Sequence, residues 1–562
     1  MLVEVLTKML EKATGFKNPR VDFATDEQFG DYSSNIAMIL AKELMKNPKI
    51  VAKEIKEKII EYKDAKILEK VEVAGPGFIN FWLKNDILIN NLITIDRDKE
   101  NYGKTTHPKV KTAIVEYSSA NIAKPFTVGH LRSTIIGDAI ANLLEFTGWK
   151  VLRDNHLGDW GTQFGKQIYA IKTWGKKEKD AEYTVKELVD LYVKFHEEAE
   201  KDPTLEDKGR EWFRKLEQGN TEAREIWQKC VDWSFEEFDR IYKILGVKFS
   251  SEFENGRGLG ESYFEGRIPA IIDELTRKKL LKSGELGAKL VFFENDIYPP
   301  AMILKKDGTT LYHTRDLATD KFRLDKYNPD LVINEVGSEQ TLYFRQLFEI
   351  EKMLNWYKES QRVHVGHGLI RFKEGKMSTR KGNVIWMEDL LTQAVDKAKL
   401  LGSEDVNTAK KVAMGALKYN DLKRDPNTEI IFDWNEILNM EGNSGPYLQY
   451  TYARTRSVLT KSKIKKLTIE SKNIGELAPE EIAVLRKLAQ FSEVIVNAAK
   501  SYSPNILATY LYELASKFNT FYNKHKIIGG ENEEFKLLLT KGTGQVIKNG
   551  LNLLGIEAPE KM

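Results

Sequence analysis

Two short segments of the chain contain residues whose types and spacing suit phosphate chemistry. The first runs Ala123-Lys124-Pro125-Phe126-Thr127-Val128-Gly129-His130-Leu131-Arg132-Ser133, between a predicted strand and the helix that follows it. A helix N-terminus offers unpaired backbone N–H groups and a partial positive charge, so anions bind there readily. Gly129 would let a phosphate or an adenine ring approach the backbone, and His130 could donate a hydrogen bond to a phosphate oxygen. Taken alone, the segment is also compatible with an ordinary first-turn histidine and a threonine N-cap.

The second segment is Glu374-Gly375-Lys376-Met377-Ser378-Thr379-Arg380-Lys381-Gly382-Asn383, which follows another predicted strand. A glycine-bounded loop with three cations suits a leaving pyrophosphate, because the charge on that group grows in the transition state. The alternative is a solvated basic turn, which is the commoner role of Lys/Arg clusters.

The elements around the first segment predict half of a nucleotide-binding fold. Thr112 to Tyr117 is an apolar run typical of a buried parallel strand. After the loop from Ser118 to Phe126, a long helix is predicted whose apolar face carries Ile136, Ile140, Leu143 and Phe146 and which ends at Gly148. Val151-Leu152 begins the next strand. This β-loop-α-β order is the half-unit of a dinucleotide fold.

The same pattern returns around the second segment. Strands are predicted at Asp330 to Asn334 and Val363 to Ile370, with a helix from Thr341 to Trp356 between them. The loop from Arg371 to Asn383 leads into a helix that begins at Met387. Between the two halves, residues 170 to 300 form a mostly helical insertion that includes a helix from Glu222 to Leu245.

The sequence before and after these two halves shows other patterns of secondary structure. Residues 1 to 105 indicate a small α+β unit, with an amphipathic first helix and a second from Ser33 to Leu44. Two strands, Val71 to Ala74 and Phe78 to Leu83, are predicted around Gly75-Pro76-Gly77. The polar stretch from Asp96 to Lys109 is predicted to be a linker, and from about Ala409 onward only helical periodicity is visible.

Composition narrows the class of protein. A chain of 562 residues is too long to fold around a single hydrophobic core, and its length suggests roughly three to four domains. The formal net charge is only +3, so a polyanionic partner must be held by local basic patches. A single cysteine, Cys230, excludes intramolecular disulfides and any zinc site built from two or more thiolates, and it favours a reducing, cytoplasmic location. No stretch approaches the ~18 apolar residues of a membrane helix.

Together the two segments identify a family. Thr127-Val128-Gly129-His130, followed far downstream by Lys376-Met377-Ser378-Thr379-Arg380, resembles the paired HIGH and KMSKS signatures of class I aminoacyl-tRNA synthetases. Four further segments resemble the arginyl-tRNA synthetase family, and the resemblance runs from Met1 to Met562: Glu116 to Pro125, Asn155 to Gly161, Leu311 to Leu317 and Gly445 to Arg454. The chain departs from the signatures at Thr127, where the first histidine is usual, and at Thr379, where the second lysine is usual.

The resemblance implies the fold class and three domains. The expected architecture is α/β, with a class I Rossmann-type catalytic domain over residues 106–400 and a helical insertion at about 170–300. An N-terminal additional α+β domain that binds tRNA is expected over residues 1–105. A C-terminal all-α, anticodon-binding bundle is expected over residues 401–562.

The resemblance also implies the reaction and its site residues. L-Arginine and ATP would form arginyl-adenylate and pyrophosphate, and arginine would then pass to the 3′ terminal adenosine of tRNA(Arg). Expected catalytic residues are His130, Lys376, Lys124 and Thr127. Expected ATP contacts are Gly129, His130, Lys376, Met377, Ser378, Arg380 and Lys381. The expected arginine contacts are Glu116, Asn121, Tyr312, Asp316 and Gln340, and the expected tRNA contacts are Phe78, Asn80, Tyr450, Arg454 and Arg456.

Elementary chemistry fits several of these roles and leaves alternatives. A guanidinium presents five N–H donors in a planar fork, which a carboxylate such as Asp316 can meet with two parallel bonds. The alternative for Asp316 is a solvated carboxylate on a surface helix, and for Phe78 a buried strand residue. His364 and His367 lie three apart in a strand-like segment and so face opposite sides, and His364 is assigned to ATP.

Further expectations concern partners and rival functions. Mg²⁺ is expected on the ATP phosphates rather than in a protein-only metal site, and the chain is expected to be a monomer with no membrane partner. Tyr510, Tyr512, Phe518, Phe521 and Tyr522 are expected in the helical core, as is Cys230. Two rivals stay open: a synthetase-like RNA-binding protein that has lost activation, and a class I synthetase for another amino acid.

Overall fold

The computed structural model describes residues 2–106, 108–178, 181–284, 287–306, 308, 310–371, 386–400, 405–464, 467 and 474–562. The N-terminal part is an antiparallel sheet flanked by helices: α1 (Leu2–Thr14), β1 (Asp22–Phe23), β2 (Tyr32–Ser34), α2 (Ile36–Leu44), α3 (Pro48–Ile60), β3 (Leu68–Ala74), β4 (Phe78–Leu83) and α4 (Asn85–Asp98). The strands lie in the order β1-β2-β4-β3. Helix α1 buries Leu6, Met9, Leu10 and Ala13, whose spacing of three to four places them on one face.

The first half of the nucleotide fold consists of β5 (Thr112–Glu116), α5 (Val128–Phe146) and β6 (Lys150–Asp154). Strand β5 is apolar and almost wholly buried because it has neighbours on both edges and helices on its faces. Helix α5 ends before Gly148, whose φ of 92° is readily adopted only without a side chain. The strands and the helix therefore lie where the periodicity predicts them.

The insertion is a bundle of helices followed by a small sheet. Its elements are α6 (Thr162–Trp174), α7 (Val185–Lys201), α8 (Thr204–Glu217), α9 (Thr221–Leu245), α10 (Glu261–Phe264), α11 (Ile268–Arg277), β7 (Leu281–Ser283), β8 (Lys289–Val291) and β9 (Ala301–Leu304). The helices agree with the predicted helical insertion. The antiparallel sheet β7-β8-β9 was not visible in the periodicity, because its strands are only three or four residues long.

The second half of the fold completes the parallel sheet. It comprises α12 (Tyr312–Tyr327), β10 (Leu331–Gly337), α13 (Thr341–Met353), β11 (Arg362–His367), β12 (Ile370–Arg371) and α14 (Met387–Leu400). The sheet has the order β11-β10-β5-β6, and all three pairings are parallel. The chain runs outward from β5 in one direction and from β10 in the other, so the crevice between their carboxyl ends is the expected ligand site of such a sheet.

The C-terminal part is a helical bundle: α15 (Val406–Leu422), β13 (Ile430–Ile431), α16 (Trp434–Ile437), α17 (Gly445–Lys461), α18 (Pro479–Ala489), α19 (Phe491–Lys500), α20 (Pro504–Lys524) and α21 (Glu533–Leu553). Strand β13 corrects the prediction of helices only from Ala409 onward. It pairs in parallel with β12, and a strand of two residues leaves no periodic signal. In the described part of the chain, no helix has the length and apolarity needed to cross a bilayer.

The N-terminal part docks directly on the C-terminal bundle. The Tyr32 hydroxyl donates to Oε2 of Glu493 across 2.8 Å, and Arg486 pairs with Asp31 at 3.0 Å. The predicted linker from Asp96 to Lys109 is wrong over its first part, because α4 and a 3₁₀ turn at Lys99–Asn101 occupy it. Tyr102 then packs in parallel on Phe491 and is almost fully buried, which anchors this segment to the bundle.

Candidate active site

The N-terminus of α5 fixes the orientation of His130. Thr127 has an extended backbone and precedes the first helical residue, and its N–H donates to Nδ1 of His130 across 3.0 Å. Because Nδ1 accepts a hydrogen bond, the imidazole proton resides on Nε2. Burial, together with the charges of Lys124 and His367, lowers the pKa of His130 to about 4. His130 is therefore a neutral donor through Nε2 at physiological pH.

Gly129 leaves open space on the first turn of α5. It is exposed, and a side chain there would meet only the Thr127 hydroxyl, at an ordinary contact distance of 3.5 Å. An anion could therefore approach the backbone at this turn without displacing any described side chain. Lys124 lies close enough to His130 to act on its pKa, so a cation belongs to the same end of the helix.

The segment after the predicted cationic loop is attached to the same helix end. Trp386 forms an antiparallel bridge with Thr127, and the N–H of Met387 donates to the Phe126 carbonyl at 3.1 Å. Residues 372–385 lie outside the described residues, and with them the predicted contacts Lys376, Met377, Ser378, Arg380 and Lys381. The structure therefore shows that Trp386 and Met387, which follow this segment, are bonded to the residues just before α5.

An acidic row crosses the carboxyl ends of the strands. Asn334 of β10 is the register partner of Glu116 of β5, which in turn is the partner of Asp154 of β6. The buried guanidinium of Arg323 donates to Glu116 at 2.5 Å and to Asp154 at 2.6 Å. Arg323 also pairs with Asp320 at 3.0 Å. Arg362 of β11 also pairs with Asp320, at 2.8 Å. Two guanidinium groups thus face three carboxylates, which leaves an excess of negative charge at this edge.

A small pocket lies beside this row, lined by Glu116, His156, Asp316, Thr319, Asp320, Arg323, Asn334 and Leu347. The Tyr343 hydroxyl donates to Oδ2 of Asp316, and Nε2 of His156 lies 3.9 Å from the other carboxylate oxygen. Burial raises the pKa of Asp316 to about 6, although the His156 charge and the Tyr343 hydrogen bond favour its ionised form. Asp316 is therefore a half-buried anion near neutral pH.

The pocket and its surroundings contain several buried polar atoms without a hydrogen-bond partner. Oδ1 of Asn334, Nε2 of His156 and Oε2 of Glu261 have no hydrogen-bond partner among the described residues. Burial raises the pKa of Glu261 to about 7, against the opposing charges of His156 and Arg315. Buried acceptors without donors are costly, so a ligand that supplies several N–H groups and a positive charge fits this pocket.

Only two of the five predicted arginine contacts line the pocket. Glu116 and Asp316 do, whereas Asn121, Tyr312 and Gln340 do not. Asn121 forms a parallel bridge with Gly158. Tyr312 begins α12 and is 66% exposed, and Gln340 is exposed at the start of α13.

The two histidines of β11 face opposite sides of the sheet, as strand alternation predicts. His364 stacks on Phe344 of α13 with ring centroids 4.6 Å apart, and its Nε2 lies 3.1 Å from the Val336 carbonyl. His367 instead pairs with Glu335 at 2.8 Å and acts on the pKa of His130. The histidine beside the α5 end is therefore His367, and the assignment of His364 to ATP lacks this geometric support.

The predicted tRNA contacts of the N-terminal part differ in exposure. Phe78 begins β4 and is 39% exposed, so its ring is accessible to a base. Asn80 is only 3% exposed, and its Oδ1 accepts a hydrogen bond from Ser33 at 2.7 Å. In this conformation the Asn80 amide is committed to the sheet and does not reach the surface.

In the C-terminal bundle, Arg454 joins two exposed aromatic rings. Its guanidinium carbon lies 4.9 Å from the ring centre of Tyr450 and 4.8 Å from that of Tyr522. Nη1 of Arg454 also donates to Oδ1 of Asn519 at 2.5 Å. Arg456 lies 3.6 Å from Glu560 and is partly exposed. The surface thus offers stacking faces next to cations, which is the composition of single-stranded RNA sites.

The predicted core aromatics mostly agree with the structure. Tyr510, Phe518 and Phe521 are buried, whereas Tyr522 is 36% exposed and belongs to the Arg454 surface. Cys230 is a free, buried thiol whose pKa burial raises to about 12, in accord with a packing role. Among the described residues, no group of three or more His, Cys, Asp or Glu could hold a metal ion.

Sequence reasoning assigned no role to His156, Tyr343, Asn334 or Glu261. His156 lies in the segment Asn155 to Gly161, which carried part of the family resemblance, so its signal was present but unused. Tyr343 and Asn334 had no local signal, because only the packing of α13 and the register of β10 bring them to the pocket.

Comparison with known proteins covers the whole chain. The family model "tRNA synthetases class I (R), catalytic domain" matches residues 91–434. The models "Arginyl tRNA synthetase N terminal domain" and "DALR anticodon binding domain" match residues 1–83 and 448–562. The chain is 40% identical to the arginine–tRNA ligase of Clostridium kluyveri, covering 100% of this chain and 99% of that protein. It is also 40% identical to the arginine–tRNA ligase of Clostridium perfringens, covering 93% and 92%.

Solved structures agree with these matches. The arginyl-tRNA synthetase from Plasmodium falciparum superposes with a TM-score of 0.85 at 28% identity, covering 100% of this chain and 98% of that one. The Thermus thermophilus arginyl-tRNA synthetase, at 24% identity, supports the fold with a TM-score of 0.84 and 100% coverage of both chains. On the evidence of its three matched domains and its full-length relatives, the chain belongs to the arginyl-tRNA synthetase family.

Proposed function

We propose that arginine is activated in the crevice between β5 and β10, with its guanidinium at Asp316 and the ATP phosphates at the N-terminus of α5. The arginine carboxylate attacks the α-phosphorus of ATP, which gives arginyl-adenylate and pyrophosphate. The 3′ terminal adenosine of tRNA(Arg) then attacks the adenylate, and the class I resemblance implies its 2′-hydroxyl. Positioning and charge stabilisation dominate such a reaction, because the protein forms no covalent bond with the phosphates.

The observation that carries this proposal is that Asp316 and Glu116, remote in sequence, line one acidic pocket in which the buried Oδ1 of Asn334 has no hydrogen-bond donor among the described residues. A guanidinium would supply donors to Asp316 and to Asn334 at once and would also offset the excess negative charge. Lysine would bring one compact ammonium and leave acceptors unpaired. Sites that depend on buried polar partners reject such analogues by roughly 10⁴-fold or more.

The phosphate side of the proposal rests on the end of α5. His130 donates through Nε2, Lys124 adds a positive charge nearby, and Gly129 leaves room for the anion. We assign the leaving pyrophosphate to Lys376, Ser378, Arg380 and Lys381, with Met377 beside the nucleotide. The bridge from Trp386 to Thr127 supports this assignment, because Trp386 follows closely after these residues in the chain and lies at the helix end.

The tRNA contacts are proposed on two surfaces. Phe78 offers an accessible ring on the N-terminal part, and Arg454 with Tyr450 offers a cation between stacking faces on the bundle. Arg456 extends this second surface. Asn80 would have to exchange its bond with Ser33 before it could bind a base edge.

Three finer points belong to the same proposal. Mg²⁺ arrives with ATP on the phosphates, so removing it with a chelator should stop adenylate formation. The chain acts as a monomer, which sedimentation at working concentration would test. We also place it in the cytoplasm, in keeping with its single cysteine.

The deciding experiment is ATP–pyrophosphate exchange by the full chain with a panel of amino acids, with and without saturating tRNA(Arg). Exchange that requires arginine, and that falls by about 10⁴-fold with lysine, would support the proposed pocket. Silence with arginine under saturating tRNA, or a preference for another amino acid, would overturn it.

A further inference from the structure

We infer that a protonated His156 neutralises the guanidinium pocket before arginine binds, and that arginine binding expels this proton to solvent. The inference rests on the proposed function, because it assumes that the guanidinium enters beside Asp316. It assigns His156 the role of a positioning residue whose charge the substrate replaces.

The orientation of His156 leaves one nitrogen for the pocket. Its Nδ1 lies 3.1 Å from the Leu259 carbonyl, which can only accept, so Nδ1 carries a proton. Its Nε2 is buried and lacks a hydrogen-bond partner among the described residues. That nitrogen lies 3.9 Å from Oδ1 of Asp316, which is ion-pair range but beyond a hydrogen bond. A proton on Nε2 would therefore face the carboxylate that is expected to bind the substrate.

The charges around His156 are mostly negative, and they come from every neighbouring element. The facing groups are Glu116 of β5, Asp154 of β6, Asp159 in the loop after β6, Glu261 of α10, and Asp316, Asp320, Arg323 and Arg315 of α12, with the Tyr343 hydroxyl of α13 bound to Asp316. Arg323 is already committed to three carboxylates, and Arg315 pairs with Glu261 and Glu265. Among the described lysines and arginines only Arg323 lines the pocket. Arg362 of β11 acts on it through its pair with Asp320 at 2.8 Å.

This surrounding favours the imidazolium. Burial opposes a charge on His156, but Glu116, Asp316 and Glu261 outweigh it, so the pKa of His156 is raised above its ordinary value. In the empty pocket, the proton on Nε2 of His156 therefore balances part of the negative charge. This proton has no hydrogen-bond acceptor among the described residues.

Arginine would change both the charge and the hydrogen bonding of Nε2. A guanidinium at Asp316 places a second cation within a few ångströms of the imidazolium, and like charges in a buried site disfavour each other strongly. Once deprotonated, Nε2 becomes an acceptor for one of the five guanidinium N–H donors. Arginine and the enzyme with protonated His156 thus give the complex and one proton in solvent, and no covalent bond other than the N–H bond of Nε2 is broken.

The difference between the pKa of His156 in the empty enzyme and in the complex determines how arginine affinity depends on pH. The pKa of His156 is higher in the empty enzyme than in the complex, so binding releases protons wherever the empty enzyme is protonated. Arginine affinity should therefore rise with pH and level off above the pKa that His156 has in the empty enzyme. A merely structural histidine would change affinity without changing the number of protons released.

The test is calorimetric titration of L-arginine into the full chain, in buffers of different ionisation enthalpy, between about pH 7 and 9. In this range Asp316, whose pKa is about 6, is mostly ionised and releases few protons of its own. We expect up to about one proton released per arginine at the acidic end, declining towards zero as the pH rises. His156→Gln keeps a planar side chain and should abolish most of the release, whereas the matched variant His525→Gln, whose imidazole pairs with Glu480 in the C-terminal bundle, should retain it. Release that persists in full in His156→Gln, or that falls equally in His525→Gln, would overturn the inference.

A second measurement covers the case in which His156→Gln binds arginine too weakly for calorimetry. The chain has eight histidines, so labelling the imidazole carbons gives few NMR signals to assign, and the His156 signal is the one absent from the variant. In the intact chain, arginine should shift the His156 signal from the imidazolium to the neutral position. A signal that stays unchanged while arginine binds would contradict the inference, whereas absence of any arginine binding by the intact chain would instead contradict the proposed function.

Discussion

The backbone N–H of Thr127 donates to Nδ1 of His130, and this single bond selects the tautomer that can face a phosphate. The family signature usually has a histidine at position 127, yet the donor here is the peptide group, which every residue except proline provides. The Thr127 hydroxyl also lies 3.1 Å from the same nitrogen, but the peptide donor is sufficient to select the tautomer of His130.

Replacement Thr127→His should consequently hold or raise the rate of arginine activation. The peptide donor to His130 remains, and the added imidazole can contribute one more hydrogen bond to the phosphates. The measurement is the rate of ATP–pyrophosphate exchange with saturating arginine and tRNA. A large loss of rate would show that the threonine, which is 8% exposed next to Trp386, has a role of its own.

Replacement Asp316→Ala should abolish arginine activation and leave tRNA affinity near normal. It removes the half-buried anion of the pocket, and truncating one partner of a buried charge pair costs about 3 kcal/mol or more, which is at least about 10²-fold in kcat/KM. Asp325→Ala is the matched control, because Asp325 lies on the same helix but is exposed and pairs with Lys321. Wild-type activation by Asp316→Ala would reject the pocket assignment.

Below the pH range in which His156 titrates, the arginine kcat/KM should fall further as the pH drops below about 6. Asp316 must be ionised to bind a guanidinium, and its pKa is raised to about 6. The Tyr343 hydrogen bond favours the ionised form, so Tyr343→Phe should raise this pKa further and move the midpoint to higher pH. Tyr357→Phe provides the control, since that hydroxyl donates to a backbone carbonyl, of Asp320, instead. Equal midpoints for all three proteins would contradict the assignment of this limb to Asp316.

Arg132→Met should destabilise the junction between the catalytic domain and the residues that follow it. The buried guanidinium donates to the carbonyls of Gly368 and Pro426 and pairs with Asp421 at 3.2 Å. Its loss would leave a buried carboxylate unpaired, at a cost of about 3–5 kcal/mol. The urea midpoint of the unfolding step should fall accordingly. Arg240→Met, which breaks an exposed pair with Glu388, should change stability by less than about 1 kcal/mol.

Arg454→Ala should weaken tRNA binding and reduce its dependence on salt. If the cation between Tyr450 and Tyr522 neutralises one phosphate, the slope of log affinity against log salt should fall by about 1. Filter binding of tRNA(Arg) at several salt concentrations measures this slope. An unchanged slope would remove Arg454 from the proposed tRNA surface, and circular dichroism would verify that the bundle remains folded.

Much of the fold is predictable from local pattern. The helix Val128–Phe146 and the strand Thr112–Glu116 follow from apolar spacing, and Gly148 marks the end of that helix. Such signals are local because the period of a helix or strand determines which neighbouring residues share its buried face. Elements too short to show a period, such as Ile430–Ile431, escaped prediction, as did the helical turn within the expected linker.

By itself the sequence determined the kind of protein, because the two signatures and the segments around them are short, ordered and specific. Tertiary structure alone decided which polar groups share a pocket. The register of β10 brings Asn334 beside Glu116, the packing of α13 brings Tyr343 to Asp316, and the pairing with Ser33 turns Asn80 inward. These contacts join residues far apart in the chain, and they depend on strand register and helix docking, which no local period encodes.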